Sequence, residues 1–279
     1  MVHLNPGEIS FDTLDDVLAS IGAAGARVSA IDASEGAAGN ISVVFSWDFE
    51  GDSRFSDSWE IESPVSVPRL AGAWLAVTGS GRRLREVESS AGANVALVQV
   101  LPGGNTLKIH ASANRLFHKP TSELNTHLAL HARHAERHGP IHTVLHAQPL
   151  HLTFLSHIRE YRDTQSLNEK ILRWQPEVII QLPDGVGVAP YLIPGSASLM
   201  EATLDLSENH RVVVWSRHGA IARVAGSVKK ACDLIEYAET GARYEFLNLQ
   251  CGNKAEGIPI DDLRQLCAEF GIVQTIFPS

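Results

Sequence analysis

"VLHAQPLHL", residues 144–152, decides how this chain is read. Val144, Leu145 and Ala147 read as the end of a buried strand, and Pro149 opens a helix. His146 stands at the strand end, where a metal ligand can sit, and Gln148 follows two places later. Residues two apart on a strand face the same side at about 6.6 Å, a span that converging side chains close. His142 is on the same strand but roughly 13 Å from His146, too far to share an ion with it. The stretch is a metal site with one altered ligand, a site that has lost its metal, or an ordinary strand end.

Working outward, strands and helices alternate without a strict βαβ period. Residues 10–29 predict an amphipathic helix capped by Ser10 or Asp12. A glycine turn leads into a β-branched strand over 37–49. Residues 50–72, polar and Pro-containing, read as an irregular excursion. Residues 73–81 form a short strand that breaks at glycines, and 93–110 a hairpin turning at Pro102-Gly103-Gly104. A helix is expected over 120–139, with Pro120 and Ser122 at its start and Gly139 at its end. Strand 141–147 precedes helices over 149–158 and 164–174. Residues 177–195 read as strand and loop, 196–209 as a helix, 211–223 as a strand pair, 227–250 as a long helix and 260–270 as a last helix. The expected fold is α/β: a single domain over residues 1–279, with a central mixed or antiparallel sheet and helices on both faces.

Composition narrows the function classes. The 279 residues are 44% hydrophobic and 20% charged, ordinary for a globular protein with a substantial core. A formal net charge of −9 argues against nucleic acid or an anionic membrane as a partner, yet leaves room for an anionic small molecule held by backbone N–H groups. No apolar run approaches the ~20 residues of a membrane span, and the N-terminal stretch lacks the basic start and apolar core of an export signal. Cys232, Cys251 and Cys267 show no CxxC spacing, which points to a reducing cytoplasm.

Three small-residue turns could cradle an anion: Ala38-Gly39-Asn40, Thr78-Gly79-Ser80-Gly81 and Pro120-Thr121-Ser122-Glu123. Taken singly, each reads first as a tight turn or a helix cap. Glu123, in the first turn of its helix, either complements the helix dipole or acts as a general base. His127, His131, His134 and His138 fall on one helix face. That spacing can bind zinc, but such a stripe reads first as surface or interface, and the HExxH arrangement is missing. His218, alone at another strand end, reads first as structural.

Taken in order, the motifs GN, VTGSG, PTSE, LHAQ, PDGVG and RHG resemble the class II aldolase/adducin family, from about Gly39 to about residue 250. The resemblance implies a metal-dependent aldolase that cleaves a ketose 1-phosphate to dihydroxyacetone phosphate and an aldehyde through an enediolate. If the ketose is L-rhamnulose 1-phosphate, the aldehyde is L-lactaldehyde. It implies a divalent metal held by His146, by the residue at position 148 and by His218. Glu123 takes the place of the catalytic carboxylate, which also lies on the metal when substrate is absent, and Glu177 that of a second acidic residue of the site. Gly39, Asn40, Ser80, Gly81, Thr121 and Ser122 take the phosphate-binding positions. The resemblance also implies a homotetramer with active sites at subunit interfaces. Two residues depart from the pattern: Gln148 replaces a His, and Ala37 replaces a substrate-binding Asn. A glutamine oxygen is a poorer zinc donor than imidazole and admits manganese or magnesium beside zinc. Three arrangements stay open: Gln148 binds through oxygen, His151 swings in from one helical turn on, or no functional metal binds. The alternatives in function are a related sugar-phosphate epimerase or dehydratase, or a non-catalytic oligomeric interaction protein.

Overall fold

Among the described residues, nine strands join edge to edge in one sheet. The computed structural model describes residues 11, 13–45, 47–135 and 141–277. In chain order the elements are α1 (Leu14–Ala30), β1 (Asn40–Phe45), β2 (Asp57–Glu62), β3 (Trp74–Thr78), α2 (Ala91–Asn94), β4 (Val95–Val100), β5 (Thr106–Ala111), α3 (Leu124–His134), β6 (Ile141–Ala147), α4 (Leu150–Leu155), α5 (Thr164–Ile171), α6 (Pro176–Gln181), β7 (Val186–Ala189), α7 (Ala197–Ser207), β8 (Val212–Trp215), β9 (Gly219–Ala225), α8 (Val228–Gln250) and α9 (Ile260–Glu269). The sheet order is β2-β5-β4-β3-β1-β6-β9-β8-β7. Only the β7–β8 pair at one edge is parallel; the sheet is mixed, as expected.

Side-chain alternation sorts the strands onto two helical layers. Ile41, Val43, Phe45, Leu145 and Ala147 pack with Val17, Ile21 and Val28 of α1 and Ile235 and Ala238 of α8. On the opposite face Val44 and Leu75 pack with Leu124 and Leu128 of α3, while Val144, Val213 and Trp215 pack with Leu199 of α7. Each fully buried aliphatic side chain contributes about 1.5–3 kcal/mol. A one-residue slip of β6 would drive His142 and His146 into the apolar α1/α8 layer. Hydrophobic burial therefore fixes the register that presents His146 toward α3.

Several boundaries differ from expectation. The first helix is capped by Thr13, whose side chain and that of Asp16 form a capping box, worth about 1 kcal/mol; Ser10 and Asp12 lie outside the described residues. The irregular excursion contains β2, an edge strand of alternating burial paired with β5. Its Trp59 and Ile61 alternate with Ser58 and Glu60, the period-two pattern of a half-buried strand. Residues 177–181, read as strand, are helical: Pro176 at the first helical position presets φ, and Val178 and Ile179 bury against the α1/α8 layer. The helix expected from residue 120 starts at Leu124, because Gly79 and Pro120 form a β-bridge and Thr121 N–H donates to the Thr78 carbonyl. Its expected end at Gly139 lies outside the described residues. All three cysteines are free thiols.

Candidate metal centre and active site

Three chain segments converge where β1 begins and β3 and β6 end. β1 enters at Asn40, paired with His146 on β6. Gly39, just before it, has φ +84°, and a Cβ there would lie 2.9 Å from the His146 carbonyl oxygen. Only glycine allows both the conformation and the close approach. The glycine turn after β3 is stitched to the 119–121 segment by Ser80 N–H donating to the Lys119 carbonyl at 2.9 Å. Glu123, at the start of α3, is thereby held beneath the end of β6.

His218 arrives from the turn between β8 and β9. Arg217 takes a left-handed backbone, φ +64°, uncommon for a side chain with a Cβ, and its N–H donates to Ser156 Oγ at 2.7 Å. A Cβ on the next residue but one, Gly219, would lie 2.5 Å from the Ala147 carbonyl oxygen and 2.9 Å from His146 Cε1. The turn thus seats His218 beside His146, with ring centroids 4.9 Å apart and both rings against Trp215.

Glu123, His146 and His218 meet. Glu123 Oε2 lies 3.7 Å from His146 Nε2 and Oε1 3.6 Å from His218 Nε2. One ligand atom from each falls within 4.8 Å of the others, the only such group of three His, Cys, Asp or Glu among the described residues. These separations are too long for hydrogen bonds. They approach the roughly 3.3–3.5 Å between neighbouring donors of a tetrahedral ion with 2.0–2.2 Å bonds. His146 Nδ1 lies 3.0 Å from the Ala220 carbonyl oxygen, so Nδ1–H donates there and the Nε2 lone pair faces Glu123. The donor set and spacing fit a divalent metal ion.

Electrostatics agree. Burial alone would raise the Glu123 carboxyl, but His146, the Asn40 amide, His218 and His127 together hold it below the usual carboxylate range. Burial, and then the neighbouring His146, push His218 down to about 4 against the pull of Glu123. Both states suit coordination: an ionised carboxylate and neutral imidazole.

The remaining sequence candidates divide. Gln148 is half-buried beside the two imidazoles: its Cγ lies 3.1 Å from where a Gly219 Cβ would stand, the point that His146 Cε1 also approaches. Its backbone N–H donates to the Ala33 carbonyl. His151 is elsewhere, its Nδ1 2.6 Å from Glu239 Oε1 on α8 and its ring against Phe246. It lines a separate cavity of roughly 390 Å³ with Arg243 and Asp32. Glu177 is exposed in the first turn of α6, outside the Glu123 group within one chain. Ser122 and Gly81 are exposed, Gly39 and Ser80 half-buried and Thr121 buried at the same end of the sheet. Thr121 Oγ1 accepts from the Glu123 N–H at 3.3 Å. Asn40, expected to bind phosphate, turns its side-chain amide inward: Nδ2 donates to Glu123 Oε2 at 2.8 Å.

The histidine stripe is corrected. His127, His131 and His134 are buried, not at a surface or interface, because Ser42, Asn40, His142 and Ser207 supply polar partners across α3. His138 lies outside the described residues. Ser42 is a functional candidate that the sequence did not single out, and His127, read there as one of a surface stripe, joins it. Flanking Leu124, Leu128 and Leu130 are the one local hint that the stripe is covered.

Residues 19–246 match the family model described as class II aldolase and adducin N-terminal domain. A rhamnulose-1-phosphate aldolase of Pectobacterium atrosepticum is 30% identical over 207 residues, 74% of this chain and 74% of that one. One from Yersinia pestis is 29% identical over 214 residues, 76% of this chain and 77% of its own. A sugar-phosphate aldolase from Thermotoga maritima superposes with a TM-score of 0.73 at 29% identity, covering 86% of this chain and 98% of that one.

Proposed function

The chain belongs to the class II aldolase and adducin family, and from that premise we propose that it cleaves a ketose 1-phosphate to dihydroxyacetone phosphate and an aldehyde with the help of a divalent metal. It is a carbon–carbon lyase. The observation that carries the reading is the Glu123 carboxylate set 3.7 Å and 3.6 Å from the ring nitrogens of His146 and His218. A non-catalytic relative would have no use for this buried group, which supports an enzyme.

His146, His218 and the Gln148 side-chain oxygen would hold the metal, with Glu123 as a further ligand when substrate is absent. Zinc suits the two imidazoles; the neutral oxygen of Gln148 also admits manganese or magnesium. Bound there, the ion supplies a Lewis acid for the negative charge that develops as the C3–C4 bond breaks. Gly39, Ser80, Gly81, Thr121 and Ser122 receive the substrate phosphate through backbone N–H groups and hydroxyls. Glu123, ionised and held by the Asn40 amide, would take the proton that the C4 hydroxyl gives up as the aldehyde forms and deliver it to C3, the carbon that loses the aldehyde. L-Rhamnulose 1-phosphate, giving L-lactaldehyde, is the first candidate substrate, supported by the names of the relatives above. The chain is expected to act in the cytoplasm as one domain and as a homotetramer with sites at subunit interfaces. Such an assembly gives the exposed Glu177 a place at a neighbouring copy's site. The test is release of dihydroxyacetone phosphate from L-rhamnulose 1-phosphate and from L-fuculose 1-phosphate, before and after chelation. Release that stops with the chelator and returns with added metal is expected; no release from either by metal-loaded protein refutes the reading.

A further inference from the structure

Behind the carboxylate runs a line of buried polar groups that metal binding and phosphate binding leave without a task. Asn40 Oδ1 lies 2.5 Å from His127 Nε2, and His127 Nδ1 lies 2.6 Å from Ser42 Oγ. Ser42 Oγ in turn lies 2.7 Å from His131 Nε2, and His131 Nδ1 is 2.7 Å from His142 Nδ1. Asn40, Ser42, His127, His131 and His142 are all buried. We propose that this chain, with His127 as its central member, is a positioning device whose hydrogen bonds all point toward Glu123 and lock the carboxylate in its working orientation. The proposal rests on the aldolase reading above for its kinetic consequence, though not for its geometry.

The direction follows from donor inventory and the burial of His127. An ionised carboxylate only accepts, so the Asn40 side chain must present its N–H to Glu123 and its carbonyl to His127. His127 Nε2 must then carry a proton. His127 is fully buried and neither of its ring nitrogens meets a carboxylate, so the ring is neutral and its Nδ1 is a bare acceptor. The Ser42 hydroxyl must donate to that Nδ1. With its one hydrogen spent, Ser42 Oγ can meet His131 Nε2 only by accepting from it. Four consecutive hydrogen bonds therefore run from His131 through Ser42, His127 and Asn40 to Glu123. Aligned donors polarise one another, and burial keeps water from replacing any of them. A carboxylate held by one amide, whose own orientation is fixed by one imidazole, can shuttle a proton without swinging away from the reacting carbon.

The fold explains the chain's placement. Ser42 is on the α3 face of β1, opposite the apolar side chains of Ile41 and Val43 that face α1. His127 and His131 lie one turn apart on α3, so one hydroxyl reaches both rings. The chain occupies the layer between α3 and the sheet where further Leu or Val side chains would otherwise pack, so it is not a consequence of burial alone.

The experiment has two readouts on the isolated full-length protein. Nitrogen-15 spectra of labelled histidine report which ring nitrogen of His127 carries the proton, assigned by its loss in His127→Gln. The proposal requires the Nε2–H form; an Nδ1–H form or an imidazolium at neutral pH overturns it. Kinetics with L-rhamnulose 1-phosphate supply the second. His127→Leu should lower kcat by roughly ten- to a hundredfold, with KM and metal content within about twofold of wild type. His127→Gln, whose amide can still donate to Asn40, should recover most of kcat. If the leucine variant does not fold, Asn40→Ala takes its place: a fall in kcat is expected, whereas a raised KM at unchanged kcat assigns Asn40 to phosphate binding and overturns the proposal. Wild-type protein inactive on both ketose phosphates refutes the aldolase reading, while the tautomer still decides the chain's polarity.

Discussion

Acidification should destabilise this protein through His127, by an amount its burial sets. The ring is buried and held neutral down to about 3, while an unfolded histidine titrates near 6.5. Between those values the unfolded chain binds a proton that the native chain does not. Stability therefore falls as pH drops below about 6.5 and levels off only near 3. Each pH unit inside that window removes about 1.4 kcal/mol for a single titrating group, so pH 4.5 is worse than pH 7.5 by roughly 2–3 kcal/mol from His127 alone. That is a large part of the 5–15 kcal/mol typical of a domain. The assay is urea unfolding of chelator-treated protein at half-unit pH steps, wild type beside His127→Gln. The glutamine variant lacks the titrating group, so the gap between the two stabilities should change by about 2–3 kcal/mol over this range. Parallel curves would refute the claim that His127 is neutral and enclosed.

Glu123→Ala should lower turnover by roughly 10²–10⁴-fold, the usual worth of a positioned acid–base group, while elemental analysis still finds metal on the histidines; an unchanged rate removes its assigned role. Gln148→His should slow zinc loss to a chelator by tenfold or more, because imidazole replaces a weaker oxygen donor; equal loss rates would show that position 148 does not reach the ion. Gly219→Ala should destabilise by about 1–3 kcal/mol and weaken metal retention, since its Cβ would press on the Ala147 carbonyl and the His146 ring; thermal melts and metal content check both.

The pairing of His146 with His218 came from the resemblance, not from spacing. Alternation over residues 141–147 fixes which face His146 takes, but His218, alone at a strand end, reads first as structural, and only the fold brings the two rings together. The glycine turns were legible as close-approach points, but their mutual stitching through Ser80, Lys119 and Thr121 is a tertiary fact. Sequence missed β2 because an edge strand with one wet face looks like polar loop, and α6 because its Val178-Ile179-Ile180 run is β-branched while Pro176 and packing make it helical. The buried histidines were misread for a deeper reason. Helical spacing says which residues share a face, not what covers that face, and Ser42 lies 85 residues from His127 in sequence. Asn40 was expected to serve a phosphate from its glycine-turn context; only the rotamer shows its amide on Glu123.

Everything turns on His146 and His218 gripping one ion beside Glu123. Elemental analysis of untreated protein, run beside His146→Ala and His218→Ala, tests this directly. The account predicts about one divalent transition-metal ion per wild-type chain and its loss from both variants; equal metal content in all three would contradict it.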